Sequence, residues 1–240
     1  MKPHDYNPFR HFTKWEWGLW IGSLVLIAGG FLVCRRFDWM ILSACLLGAT
    51  SLIFVAKGNV VGQFLAVAFG LLYGCISMQY HYYGEMITYV FMSVPIAIVS
   101  IVTWLRHPYQ GDHTEVAIRH IKPLHWFILL FLTAGVTAAF YFLLRWFGTA
   151  NLLFSTISVT TSFSAASLLL LRSPFYAIAY SLNDIVLIVL WILATVEDIS
   201  YLPMILCFVI FLVNDLYGFF NWQRMHRRQT TSEKPEDPPT

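Results

Sequence analysis

The 240-residue chain is 58% hydrophobic and 12% charged, with a formal net charge of +2 and a mean hydropathy of +0.65. A soluble domain carries charge on roughly a quarter of its residues, so a water-solvated globule is excluded and lipid is the expected solvent. The apolar runs are too long and continuous for the alternating strands of a lipid-facing barrel, which leaves helices as the spanning form.

Blocks near the ~20 residues that cross a ~30 Å hydrocarbon core predict eight spans, at 17–34, 39–56, 60–80, 86–105, 125–144, 151–171, 175–195 and 201–221. The first belongs to an N-terminal segment (1–38) whose sequence has no small-residue cleavage site after the span and does not read as a secretory signal. Spans two to four make a first three-helix unit (39–105). Within it Gln63, Tyr73, Gly70 and Gly74 share a face of span three. Gly70-x-x-x-Gly74 reads as a close-packing motif, and Gln63 and Tyr73 as candidate cavity-lining residues. Pro95 frees a carbonyl in the middle of span four and predicts a kink there.

The polar stretch "RHPYQGDHTEVAIRHIKPLHW" and the span that follows it (106–145) link this unit to a second one (146–223), before a Pro-rich tail (224–240) expected to be disordered. A basic residue before a hairpin of spans and a Trp at its end recur in both units, with Lys57-Gly58 matched to Arg172-Ser173 and Trp104 to Trp222. Two three-helix units joined by one linking helix run parallel to each other, an arrangement associated with small-solute transport. With eight spans both termini share a side. That side collects Lys2, Arg10, Lys14, Lys57, Arg106, Arg119, Lys122, Arg172, Arg224, Arg227, Arg228 and Lys234, against Arg35, Arg36 and Arg145 opposite. Both termini are therefore expected in the cytoplasm.

Polar groups at membrane depth carry the functional reading. Asn183-Asp184 lies roughly 13–14 Å into span seven and Asn214-Asp215 roughly 20 Å along span eight at 1.5 Å per residue, both near the midplane. A charge there costs about 2.5–3.5 kcal/mol on insertion scales, so these side chains are expected to face a polar interior. Tyr217 shares the face of Asn214, and Trp191 that of Asn183. Trp191 lies near an interface where aromatic belts are usual, but is kept as a ligand platform. Span six offers Thr156, Thr160, Ser164 and Ser167 on one stripe; Thr160 and Ser164 suit either the cavity or interhelical bonding. Cys34, Cys45, Cys75 and Cys207 show no C-x-x-C and read as small apolar packing residues rather than disulfides or metal ligands. Phosphate-cradling Gly-Lys, H-E-x-x-H and Gly-x-Ser-x-Gly motifs are absent, and His113, His120 and His125 are expected to be solvated. No cofactor and no metal are expected.

The runs "LYGCISMQYHYYGEM", followed by a Pro-bearing span ending at Trp104, and "NDLYGFFNWQRM" resemble the PnuC family of vitamin transporters over roughly residues 40–225. The resemblance implies a SWEET-like all-α integral membrane protein, in a bacterial inner membrane, with an extra N-terminal helix. It also implies facilitated diffusion of nicotinamide riboside with trapping by cytoplasmic phosphorylation. The family's Trp-x-x-Trp ahead of the Asn is here Tyr176 and Ala179, and its first Gly-x-x-x-Trp is Ser100-x-x-x-Trp104. Related members carry thiamine, riboflavin or deoxyribonucleosides, so another vitamin or nucleoside is the alternative cargo. A membrane-embedded enzyme or a scaffold ranks below both. The expected partners are a small nucleoside-like vitamin and the bilayer, not nucleic acid, and the arrangement is compatible with a homo-oligomer. A ribosyl group suits Asn and Asp, while a flat cationic ring suits carboxylates and aromatic faces. Asn183, Asp184, Asn214 and Asp215 are the expected binding groups, with Trp191 and Tyr217 as stacking partners and Gln63, Tyr73, Thr160 and Ser164 as further lining.

Overall fold

The computed structural model describes residues 8–9, 12–33, 38–79, 83–149 and 151–232. The readings for Lys2, Arg10, Cys34, Arg35, Arg36, Lys234 and residues 233–240 fall outside them. Among the described residues eight helical segments are long and apolar enough to cross a membrane, as expected.

Helix α1 (Lys14–Val33) opens on a capping box, in which Thr13 N–H donates to Glu16 Oε2 at 2.6 Å and Glu16 N–H to Thr13 Oγ1 at 3.3 Å. Helix α2 (Trp39–Ala56) starts at Asp38, whose carboxylate accepts from the amides of Met40 and Ile41. Helix α3 (Val61–Gln79) packs closely on the fourth span, because side chains at Gly70 and Gly74 would collide with Val94 and Val90. The fourth span has three parts: α4 (Tyr83–Ile87), a π-helical segment (Thr88–Ser93) and α5 (Val94–Arg106). Val94 N–H bonds Tyr89 O, five residues back. Pro95 has no N–H to donate, and the widened turn before it absorbs the missing bond.

Strands β1 (Pro108–Tyr109) and β2 (Asp112–Val116) form an antiparallel hairpin turned at Gln110 and Gly111, both at positive φ as a tight hairpin turn of this hand requires. Helix α6 (Pro123–Trp146) links the halves and exposes large apolar side chains such as Phe127, Leu130, Phe131 and Phe142 along its length. Helices α7 (Leu152–Leu170), α8 (Tyr176–Glu197) and α9 (Leu202–Ser232) follow, the last two joined through a 3₁₀ turn at Ile199–Tyr201.

Helix α3 packs on α2 and α5, and α8 on α7 and α9; between the groups α2 meets α9 and α5 meets α7. Both groups end their first helix in the same way. Gly58 N–H bonds Val55 O and Asn59 N–H bonds Phe54 O; Arg172 N–H bonds Leu169 O and Ser173 N–H bonds Leu168 O. These are two Schellman turns, with φ of 67° at Gly58 and 60° at Arg172. The match therefore pairs Gly58 with Arg172, one residue off the pairing expected from sequence. Trp222 Nε1 donates to Val55 O at 2.9 Å while Trp104 Nε1 donates to Leu169 O at 3.3 Å. Each group's last helix thus bonds the corresponding carbonyl of the other group's first helix, and the two indoles meet at 5.7 Å.

Two expectations need correction. Residues 224–232 are helical rather than part of a disordered tail. Gln229 anchors them by donating to Glu115 Oε1 and Val116 O and accepting from Ile118 N–H, beside an Arg228–Glu115 ion pair. Cys45 and Cys207 form a disulfide between α2 and α9 instead of packing as thiols: two buried cysteines face each other with Cα atoms 6.0 Å apart, inside the usual range for a bridge. Cys75 is free.

Candidate functional site

A cavity of about 100 Å³ lies between the two helix groups, lined from α2, α3, the π segment, α5, α7, α8 and α9. Asn183, Asp184, Asp215 and Gln63 are on its wall. The carboxyl groups of Asp184 and Asp215, on neighbouring helices, lie within hydrogen-bonding reach of each other. Among the described residues, buried Gln63 Nε2 has no hydrogen-bond partner, and no amide or hydroxyl donor reaches buried Asp184 Oδ2. Buried polar atoms are nearly always satisfied in native proteins, so an acceptor and a donor left open on one cavity call for a polar occupant.

Asn183 is held by α7. Ser162 donates to its Oδ1 at 2.9 Å and Ser158 at 3.4 Å, while Thr161 Oγ1, also 2.9 Å away, shares its one proton between that oxygen and Ile157 O. An amide oxygen has two lone pairs, so these hydroxyls saturate it, and the Nδ2 donor is left for the cavity. The span-six hydroxyls that matter here are on a different stripe from the one expected. Thr160 meets Thr137 of α6 at 2.9 Å and Ser164 meets Thr133 of α6 at 3.4 Å; both act as interhelical bonds away from the cavity.

Four more of the expected residues sit elsewhere. Asn214 is buried against α1, donating to Ser23 Oγ at 3.1 Å and to Ile210 O at 2.8 Å. Tyr217 donates to Glu16 Oε1 at 2.6 Å, where Lys57 also pairs at 2.9 Å. Tyr73 and Trp191 belong to a layer of rings capping the cavity at the end remote from Lys57 and Arg172. Tyr73 is 4.4 Å from Tyr89 and 6.5 Å from Trp191 between ring centroids. Trp104, Trp222 and Tyr176 form a second layer at the basic end, with Tyr176 and Trp222 4.7 Å apart.

Sequence reasoning missed the rings that line the cavity, among them Phe69, Tyr89, Tyr180 and Phe211. For Tyr180 a signal existed: it stands four residues, one helical turn, before Asp184 and so on the same face. Below the basic-end layer the end of the hairpin and the segment after it close over both Schellman turns, with Val116 N–H bonded to Gly58 O and Arg119 N–H to Arg172 O, each at 3.0 Å. Burial and the nearby Arg119 charge hold the Arg172 guanidinium below its ordinary pKa.

A family profile described as "Nicotinamide mononucleotide transporter" matches residues 38–224. The chain is 25% identical over 226 residues to a nicotinamide riboside transporter PnuC of Neisseria mucosa, covering 92% of this chain and 86% of the relative. It is 21% identical over 212 residues to the protein of the same name from Haemophilus influenzae, covering 88% and 90%. A crystal structure of the vitamin B3 transporter PnuC superposes with a TM-score of 0.79 at 24% identity, covering 91% of this chain and 94% of that one, a likeness that speaks for the fold.

Proposed function

The chain belongs to the nicotinamide mononucleotide transporter family, and from that premise we propose that it carries nicotinamide riboside across a bacterial inner membrane by facilitated diffusion. The observation that carries this reading is the cavity itself, which presents paired carboxyls, a fixed Asn183 amide and an open Gln63 donor between aromatic walls. Nicotinamide riboside has a cationic pyridinium ring and a ribose. The carboxyl pair suits the cation, Asn183 and Gln63 suit the ribose hydroxyls, and Tyr89 or Tyr180 supplies a ring face.

Between the mononucleotide and the riboside, the cavity favours the riboside. A mononucleotide adds a phosphate, which would stand beside two carboxyls, and among the described lining residues there is no Lys, Arg or His to receive it. The distribution of Lys and Arg supports cytoplasmic termini. The basic-end ring layer and the hairpin then face the cytoplasm, where phosphorylation of the arriving riboside would keep the gradient inward. The protein acts as a carrier and not as an enzyme.

Purified protein in sealed liposomes tests this. Nicotinamide riboside is expected to equilibrate unmodified across the bilayer, insensitive to a protonophore, and to raise the melting temperature more than thiamine, riboflavin, a deoxynucleoside or the mononucleotide. Chemical conversion of the riboside would make the protein an enzyme; flux that collapses with a protonophore would make it an ion-coupled carrier.

A further inference from the structure

A second cavity, of about 20 Å³, lies on the far side of the outer ring layer, among the beginnings of α4 and α7 and the end of α8. Its wall holds Glu85 and Trp191. Glu85 is 6% exposed, and among the described residues its Oε2 has no hydrogen-bond partner. A buried carboxyl at the edge of a membrane span without a partner is costly, and such groups mark ion or substrate pathways. Glu85 stands in the first turn of α4, yet no backbone amide is bonded to that oxygen, so helix capping does not account for it. Trp191 lines the same cavity, and a carboxylate together with an indole face is a combination that holds an organic cation.

We propose that Glu85 and Trp191 form an outer subsite that takes the pyridinium ring of the incoming substrate before it reaches the central cavity. The inference rests on the reading of the substrate as nicotinamide riboside. The geometry makes the subsite a step on a route. Glu85 is one helical turn from Tyr89, and Trp191 is two turns, about 10 Å, beyond Asp184. Trp191, on the outer cavity, neighbours Tyr73 at 6.5 Å, and Tyr73 is 4.4 Å from Tyr89 on the wall of the central cavity. A cation therefore passes from one carboxyl to a pair of carboxyls across two tyrosine faces. At about 20 Å³ the outer cavity has room for a water or two, so the ring is admitted when the outer layer parts. The π-helical turn that carries Tyr89 is the place where the fourth span can give.

The test uses 1-methylnicotinamide, a pyridinium cation methylated on the ring nitrogen and without a sugar, as an external inhibitor of nicotinamide riboside influx into proteoliposomes. Glu85→Gln is expected to raise the half-inhibitory concentration about tenfold and the apparent KM for the riboside several-fold. Riboside affinity of the solubilised protein should stay within about twofold, which also shows that the variant folds. Influx of the uncharged dihydro form of the riboside should not change. Trp191→Phe, a smaller ring with a weaker face, is expected to weaken inhibition about threefold and covers the case in which Glu85→Gln does not fold. Unchanged inhibition in the variants that fold, or equal effects on the charged and dihydro substrates, overturns the subsite. Wild-type protein that carries no nicotinamide riboside at all overturns the function reading instead.

Discussion

The two Asn-Asp pairs look interchangeable in the sequence and behave differently in the structure. In α8 both residues serve the central cavity, Asn183 fixed by three hydroxyls of α7 and Asp184 facing Asp215. In α9 the pair divides. Asp215 turns to the cavity, while Asn214 turns to α1 and bonds Ser23. Adjacent residues on a helix point about 100° apart, so both line one cavity where the edge between them faces it, as in α8, and otherwise one of the two meets a different partner. For α9 that partner is α1, which lies outside the two three-helix groups and covers the back of α9 through Ser23–Asn214 and Glu16–Tyr217. The role of a membrane-buried Asn is thus decided by the helix behind it.

The sharpest way to break this comparison is to remove charge from the shared side of both pairs. Asp184→Asn and Asp215→Asn keep the shape and delete a carboxylate that the proposed binding mode sets against the cationic ring. Hydrogen bonds to charged groups contribute about 1.5–3 kcal/mol, so titration calorimetry should show nicotinamide riboside affinity falling roughly tenfold to a hundredfold in each. The double variant should lose less than the sum, because the carboxyls are in contact. A neutral nucleoside's affinity should hardly move. Equal loss for charged and neutral ligands would mean that the carboxyls shape the cavity without selecting the cation.

Next in size is Asn183→Ala, which removes the cavity donor and leaves the hydroxyls of Ser158, Thr161 and Ser162 without their shared acceptor. About 1–2 kcal/mol is at stake, seen as a roughly five- to thirtyfold loss of affinity. Asn214→Ala, by contrast, should leave affinity within about twofold and lower stability by about 0.6 kcal/mol, the mean for an interhelical hydrogen bond in a membrane protein. A large affinity loss at Asn214 would erase the distinction between the pairs.

Much of this organisation was legible. Eight spans follow from apolar length, and Asn183, Asp184, Asp215 and Gln63 stand out because polar groups are costly in lipid. What could not be read is direction. Asn214 and Tyr217 have the same spacing as lining residues, and only the position of α1 shows that they face Ser23 and Glu16. The cavity rings Phe69, Tyr89 and Phe211 are indistinguishable in an apolar run from rings that pack or face lipid. Continuation of α9 through residues 224–232 depends on Gln229 and Arg228 meeting a hairpin more than a hundred residues earlier, contacts that the polar composition of the tail does not reveal.

The smallest effect tests the same lesson within a single helix. Helix α7 carries hydroxyls on two faces: Ser158 and Ser162 look toward α8, Thr160 and Ser164 toward α6. Thr160 Oγ1 also bonds its own helix at Thr156 O, 2.8 Å away. With one proton to give, it donates there and accepts from Thr137. Thr160→Val keeps the volume and removes that acceptor, after which the Thr137 hydroxyl can turn to a carbonyl of its own helix. The expected cost is at most about 0.6 kcal/mol, a melting shift of about 1–2 °C for a chain of this size, with substrate affinity unchanged. Ser162→Ala, two residues away, loosens the Asn183 amide and should lower affinity about three- to tenfold at a similar cost in stability. If Thr160→Val impaired binding as much as Ser162→Ala, the two faces of α7 would not be separate, and the cavity would extend to α6.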